Sequence, residues 1–260
     1  MADTRTGQAG EQGAPKGAAG IPARYRRERL SPYNIGSVYI RNGLLDAIRG
    51  GVDRWRQALA KDAEVLDVGC GRQPYRALIE AGGFRYTGAD WPNSIHTGDA
   101  AGEVVACDLA RMPWPFEAGR FDALLCTEVL EHVPAPGSFL AECRRVLRDG
   151  GRILLTVPLV WPEHEAPHDY HRFTRHALRR HFADAGFAQV EVEPRGGWHV
   201  TIAQLLGLWS YFAVRKPWSY ATRLLAMPVM AVLAALDRPA REDDALPMTL
   251  GYTVHAVAAA

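Results

Sequence analysis

Residues 161–174, W-P-E-H-E-A-P-H-D-Y-H-R-F-T, gather three histidines and three carboxylates in one proline-broken stretch. A neutral imidazole titrates near physiological pH, so His168 or His171 suits removal of a proton from a hydroxyl or a protonated amine. The same residues admit two other uses. His168, Asp169 and Arg172 form a hydrogen-bonding set, and His164 and His168 with Glu163 or Glu165 offer metal ligands, although their spacing matches no zinc motif. A second constellation lies upstream, where V-L-D-V-G-C-G ends an apolar run in Asp67 and the alternate glycines Gly69 and Gly71. Glycines at this spacing permit a tight turn and let backbone N–H groups approach a nucleotide-sized ligand. Asp90 follows about 20 residues later, where a carboxylate after a second strand accepts both hydroxyls of a ribose. Its plainer use is to cap a turn. Trp91, next to it, offers an indole face to a base.

To bring these residues together the chain must alternate strands and helices. Aliphatic and β-branched runs at 64–68, 84–89, 104–107, 121–127, 152–157, 187–192 and 248–258 read as strands. Apolar residues at helical spacing mark 33–60, where Gly50-Gly51 is expected to make a break, and then 75–81, 136–147 and 175–185. Pro74 stands where a first helical residue needs no N–H. Gly82-Gly83 and Asp149-Gly150-Gly151 suit helix C-termini, and Thr174 reads as an N-cap flanked by the staple Phe173 and Leu178. Two apolar segments, 198–214 and 220–236, are joined by Arg215-Lys216-Pro217-Trp218. Gln204, Arg223 and Pro228 interrupt them, so neither is expected to supply the roughly 18 uncharged apolar residues of a membrane-spanning helix. The alternation as a whole predicts an α/β sheet with helices on both faces.

Several classes are disfavoured. A dinucleotide fingerprint requires a small residue where this chain has Pro74, which argues against a nicotinamide-dependent dehydrogenase. No Lys-Ser or Lys-Thr follows the glycines, which removes a P-loop. Lys and Arg number 30 against 29 Asp and Glu, a net charge of +1. That balance provides no large field for nucleic acid or for acidic membranes. Cys70, Cys107, Cys126 and Cys143 form no C-x-x-C pair and read as reduced thiols of a cytoplasmic protein. Residues 1–22 are rich in Gly and Ala without an apolar core, so they read as a disordered tail and not as a signal peptide. Arg24, Arg26, Arg27 and Arg29 read as a solvated basic face, or else as a contact for an anionic substrate.

The pattern Asp67-x-Gly69-x-Gly71 resembles motif I of the class I S-adenosylmethionine (SAM) methyltransferases; many members carry a third glycine where this chain has Gln73. Asp90, Asp108-Leu109 and the block F-D-A-L-L-C-T-E-V-L-E-H-V-P, residues 121–134, extend the likeness in the family's order. The segment H-D-Y-H-R-F-T at 168–174 is similar to one in a bacterial, small-molecule subgroup of type 11-like methyltransferases. The resemblance implies a Rossmann-like, seven-stranded, mostly parallel sheet spanning a domain at 23–260. It implies a helical cover at 23–62 over the SAM pocket, with Tyr33 and Tyr39 near the substrate entrance or packed in the core. A helical insertion at 198–247 would cover the substrate site, and a last strand would lie antiparallel between the fifth and sixth.

The resemblance also implies SAM as the cofactor. Asp67 would orient its methionyl ammonium, directly or through water. Gly69 and Gly71 would permit close approach, Asp90 would take the ribose, Trp91 would lie against the adenine, and Asp108 with Leu109 would read that ring. Thr127 is counted with them. His168, His132 or His171 would serve as the acceptor's base. Some relatives that O-methylate quinone precursors hold a divalent metal on a block like Glu128, Glu131 and His132. In many members that block only shapes the SAM pocket, and no metal is expected here. The function expected is methyl transfer to a heteroatom, oxygen before nitrogen, of a small-molecule acceptor. The alternatives are a non-catalytic SAM-binding partner protein, or a protein or lipid-linked acceptor, the last reached through an interfacial hairpin carrying Trp and Arg-Lys at its tip.

Overall fold

A strand buried on both faces is drawn mainly from apolar residues. In the computed structural model, which describes residues 26–91, 100–241, 244 and 247–260, β1 (Glu64–Val68) and β4 (Phe121–Thr127) fit that description. Val65, Leu66, Val68, Leu124 and Leu125 are wholly buried. These strands lie at the centre of a seven-stranded sheet ordered β3-β2-β1-β4-β5-β7-β6. Its other members are β2 (Arg85–Asp90), β3 (Val104–Ala106), β5 (Leu147–Pro158), β6 (Phe187–Pro194) and β7 (Gly251–Ala258). Strands β1 to β5 pair in parallel, and β7 runs antiparallel between β5 and β6. Strand order reverses between β1 and β4, so the carboxyl ends of these two strands frame the crevice where ligands of such sheets bind. The tail expected at 1–22, and Arg24, lie outside the described residues.

Alternation along the strands divides the core in two. Leu125 and Leu154 pack with Ile48, Val52 and Trp55 of α1 (Val38–Ala58) and Ile79 of α2 (Arg76–Ala81). Leu124 and Leu155 face the other side, against Phe139 and Leu140 of α3 (Pro136–Val146) and Leu178 and Phe182 of α4 (Arg175–Asp184). The Thr174 hydroxyl accepts from the Ala177 N–H at 3.2 Å, as an N-cap does. A third, smaller cluster joins Ile35 to Ala203 of α5 (Trp198–Leu208) and to Ala226 and Met230 of α6 (Trp218–Leu236). A π-helical turn, Trp209–Ala213, prolongs α5.

Four local expectations are corrected. Helix α1 runs unbroken through Gly50-Gly51, because a helical Gly51 lets α1 approach the sheet; a Cβ there would lie 2.3 Å from Leu154 Cδ2. Helix α2 starts at Arg76 with Tyr75 as its N-cap, one position beyond the start that Pro74 suggested. Helix α3 ends at Val146, since Leu147 already pairs with Phe121; Asp149-Gly150-Gly151 instead bends β5, with Gly150 at φ +73°. Finally, α6 is a continuous helix of 19 residues that is long and apolar enough to cross a membrane by length and composition. Arg223 does not interrupt it because its guanidinium lies 4.2 Å from the Tyr211 ring centroid, and Pro228 is exposed within it.

Candidate functional site

A cavity of about 1150 Å³ opens at the carboxyl ends of β1, β2 and β4. Its floor is the turn after β1. Gly69 has φ +71° and Gly71 φ +50°, a left-handed region costly for residues with a Cβ. At Gly69 a Cβ would stand 2.4 Å from Val129 Cγ2, so the glycine makes room first of all for the chain after β4. Gln73 is also left-handed, at φ +56°. It adopts the backbone that a third glycine would take, and its buried side chain donates to the Glu103 carbonyl at 2.7 Å. That bond ties the turn to the approach of β3.

Gly69, Gly71, Asp90, Trp91, Asp108, Leu109 and Thr127 all line the cavity. Asp90, at the end of β2, fixes the turn by accepting from the Gly71 N–H at 2.7 Å and from the Trp91 N–H at 2.6 Å. Asp108 accepts from the Ala110 N–H at 3.0 Å and pairs with Arg111 at 3.3 Å, which holds Leu109 at the wall. Asp67 is placed differently. It is 1% exposed and is not among the cavity-lining residues; it stands behind the turn and accepts from the Tyr86 hydroxyl at 2.7 Å. Its other oxygen has no partner among the described residues. Burial pushes its carboxyl up to about 7, against the hydrogen bond from Tyr86, which lowers it.

The loop after β5 supplies further walls: Glu165, Ala166, His168 and Tyr170. It is anchored to the 3₁₀ turn Leu130–His132, whose Glu131 carbonyl accepts from the Tyr170 and His171 N–H groups at 2.9 and 3.2 Å. Within the loop, Arg172 donates to both oxygens of Asp169 at 2.6 and 2.8 Å. Those bonds hold the Asp169 carboxyl well below the usual carboxylate range. His132 and His168 reach the cavity; His171 does not, and its ring packs 5.2 Å from that of Phe173. His132 Nδ1 lies 2.9 Å from the His168 carbonyl, and His168 Nδ1 lies 3.0 Å from the Tyr170 hydroxyl. Tyr170 carried no sequence signal of its own, because its contact with the cavity depends on how the loop folds back.

The block after β4 contributes Glu128, Val129 and His132 to the cavity wall, as expected of it, but its polar side chains do not form one set. Glu128, at φ +53°, turns its carboxylate to Arg195 at 2.8 Å. Glu131, His132 and His164 are brought together instead, with ligating atoms within 4.8 Å of one another. Glu131 is wholly buried, and neither carboxylate oxygen has a hydrogen-bond partner among the described residues. Burial first, and then the charge of Glu128, push its carboxyl well above the ordinary range. A buried carboxyl group with no hydrogen bond among the described residues, its Oε1 3.8 Å from His132 Nε2, beside two imidazoles is a donor set that a divalent cation satisfies.

Among the described residues, neither helical cover forms part of the cavity wall. No described residue of 26–62 lines it, and none of α5 or α6 does. Tyr33 is exposed, and the Tyr39 hydroxyl donates to the Met230 carbonyl at 3.0 Å. The apolar stripe of α1 is consumed by the sheet, which leaves no face to turn toward the cavity.

Residues 41–192 match the family model described as a methyltransferase domain. An uncharacterized methyltransferase of Mycolicibacterium paratuberculosis is 30% identical over 203 residues, covering 68% of this chain and 76% of that protein. A ubiquinone biosynthesis O-methyltransferase of Aromatoleum aromaticum is 31% identical over 108 residues, 39% of this chain and 46% of that relative, so the match spans about half its length. Among solved structures, a SAM dependent methyltransferase from Archaeoglobus fulgidus superposes with a TM-score of 0.53 at 16% identity, over 86% of this chain and 99% of that one. That likeness is one of fold.

Proposed function

The chain belongs to the methyltransferase-domain family and is a SAM-dependent methyltransferase, and we propose that it methylates an oxygen of a small-molecule acceptor held beside His132 and His168. The observation that carries this reading is a single cavity whose walls combine the glycine turn, Asp90 and Asp108 with two imidazoles and a phenol. Oxygen is preferred to nitrogen because relatives such as that of Aromatoleum aromaticum are named as O-methyltransferases.

SAM, when bound, supplies an electrophilic methyl group on a sulfonium that leaves as a neutral thioether. The residues of this chain then have three tasks. Asp90 holds the ribose hydroxyls, while Asp108, Leu109 and Trp91 hold the adenine. Gly71 keeps the cavity floor free of side-chain bulk, Gly69 lets Val129 pack against the turn, Thr127 lines the wall at the end of β4, and Asp67 braces the turn from behind through Tyr86. His168 or His132 takes the acceptor's hydroxyl proton as the oxygen forms its bond to carbon. Orienting the acceptor and excluding water account for the rest of the acceleration.

The test is turnover of labelled SAM by the purified chain against a metabolite extract of its host, read by mass spectrometry. Release of S-adenosylhomocysteine together with one O-methylated product supports the reading; an N-methylated product overturns the choice of oxygen. A H132A/H168A double variant is expected to lose more than about tenfold in kcat, and a smaller loss removes general-base catalysis by these residues.

A second reading adds a divalent cation on Glu131, His132 and His164, favoured by a buried Glu131 carboxyl that has no hydrogen-bond partner among the described residues. Its contribution would be to lower the pKa of a nearby acceptor hydroxyl. Calorimetry of the metal-stripped protein with Mg²⁺ and with Zn²⁺ tests it. Heat of binding that disappears in E131Q supports the site, and no heat with either ion removes it.

A further inference from the structure

Helices on the surface of a soluble domain turn polar residues to water. Here α1 does so, exposing Arg41, Asp46, Asp53, Arg54 and Arg56. The α5–α6 hairpin does the reverse. Trp198, Ile202, Leu205, Trp209 and Phe212 recur every three or four residues along α5 and its π-helical turn, and all are exposed. Along α6, Trp218, Leu225, Val229, Val232 and Leu236 form a second exposed stripe, with Phe212 at 71% and Leu225 at 74%. Only 17% of the apolar window in α6 is buried. The charges have one sign: residues 198–236 include no Asp or Glu, and their cations are Arg215, Lys216 and Arg223. Arg215 and Lys216 are exposed at the tip, among Trp209, Tyr211, Phe212, Trp218 and Tyr220. Aromatic rings mixed with basic residues around an apolar surface are the composition of a segment lying at a lipid–water interface.

We propose that the α5–α6 hairpin docks this protein peripherally on an anionic lipid bilayer, its two apolar stripes in the acyl boundary and Arg215 and Lys216 among the headgroups. The charge decides between a bilayer and a second copy. A second copy of this face carries the same cations and no Asp or Glu at 198–236, so it offers them no compensating charge whichever way the two hairpins are aligned. An anionic leaflet neutralises them. Residues 1–25 have no apolar run able to cover such a face. The stripe also borders a second cleft, of about 550 Å³, in which Leu205, Leu208 and Trp209 meet the start of the loop after β5 at Leu159, Val160, Trp161 and Pro162. The docking face is therefore continuous with the loop that carries His168. The inference does not rest on the choice of acceptor.

Flotation of the full chain tests it, with vesicles of phosphatidylcholine alone and of phosphatidylcholine mixed with phosphatidylglycerol. The protein is expected to float with the mixed vesicles. R215Q/K216Q should weaken that partition by about 25-fold, or about fivefold for each cation lost. F212S/L225S should abolish it; both sites are exposed, and an unchanged thermal unfolding transition shows that the variant is folded. Wild-type protein that stays with the soluble fraction on both vesicles overturns the proposal. So does a concentration-dependent dimer that F212S/L225S dissolves in a chain that never floats. Equal flotation on both vesicles, insensitive to R215Q/K216Q, overturns the anionic specificity.

Discussion

Substituting Gly69 by Ala separates two reasons for a glycine in the turn after β1. One is the backbone: φ is +71°, where an L-residue costs roughly 1–2 kcal/mol. The other is space. The new Cβ would lie 2.4 Å from Cγ2 of Val129 and 3.2 Å from its Cγ1, against the roughly 3.5–4.0 Å of a relaxed carbon contact. One chain must retreat by about an ångström, a form of overpacking that costs roughly 1–3 kcal/mol. G69A should therefore lose about 2–5 kcal/mol. V129A alone, at a half-buried position, should lose about 1 kcal/mol. If the contact is the cause, G69A/V129A keeps only the backbone cost and the lost methyl groups, and is more stable than the sum of the single variants by about 1–3 kcal/mol. Urea denaturation of all four proteins measures that coupling. Calorimetry with SAM supplies an independent readout: both residues line the cavity, so G69A should weaken binding and V129A should restore part of it. Additivity within about 0.5 kcal/mol would refute the reasoning and return the glycine's role to direct contact with the ligand.

Three further outcomes are expected. Because burial holds the Asp67 carboxyl at about 7, its contribution is fully present below the ordinary range near 4 and is lost as pH rises through 7. D67N, neutral throughout, should be more stable than the wild type at pH 8 by up to about 4 kcal/mol and converge with it near pH 4; denaturation curves that stay parallel across this range would count against it. Asp169 has the opposite sign, since the hydrogen bonds from Arg172 depress its carboxyl. Its stabilisation is present above the ordinary carboxylate range and is lost as pH falls through the lower native value, so D169N should cost about 2 kcal/mol at pH 7 and little in strong acid, by urea denaturation. T174A, which removes the cap bond to Ala177, should cost about 1 kcal/mol, seen as a lower urea midpoint with an unchanged slope.

Much of this protein follows from local sequence alone. Runs of apolar residues define the buried strands because burial on both faces favours them; Gly69 and Gly71 mark a nucleotide turn because few residues tolerate that backbone, and Asp90 marks it because a carboxylate there can accept ribose hydroxyls. The cap at Thr174 and the order of the motifs are local too. What the tertiary structure decided is the placement of side chains across distances the sequence does not encode. Gly51 allows helix packing instead of a break because Leu154, from β5, lies against it. Asp67 stands behind the turn because Tyr86 of the neighbouring strand takes its oxygen. The set Glu131, His132 and His164 replaces Glu128, Glu131 and His132 because Arg195, from the end of β6, draws Glu128 away and the loop after β5 folds back. Composition showed two apolar segments but not their environment. Whether such a helix is core or surface depends on what packs against it, and here α1 is already committed to the sheet, which leaves the hairpin's apolar faces turned outward.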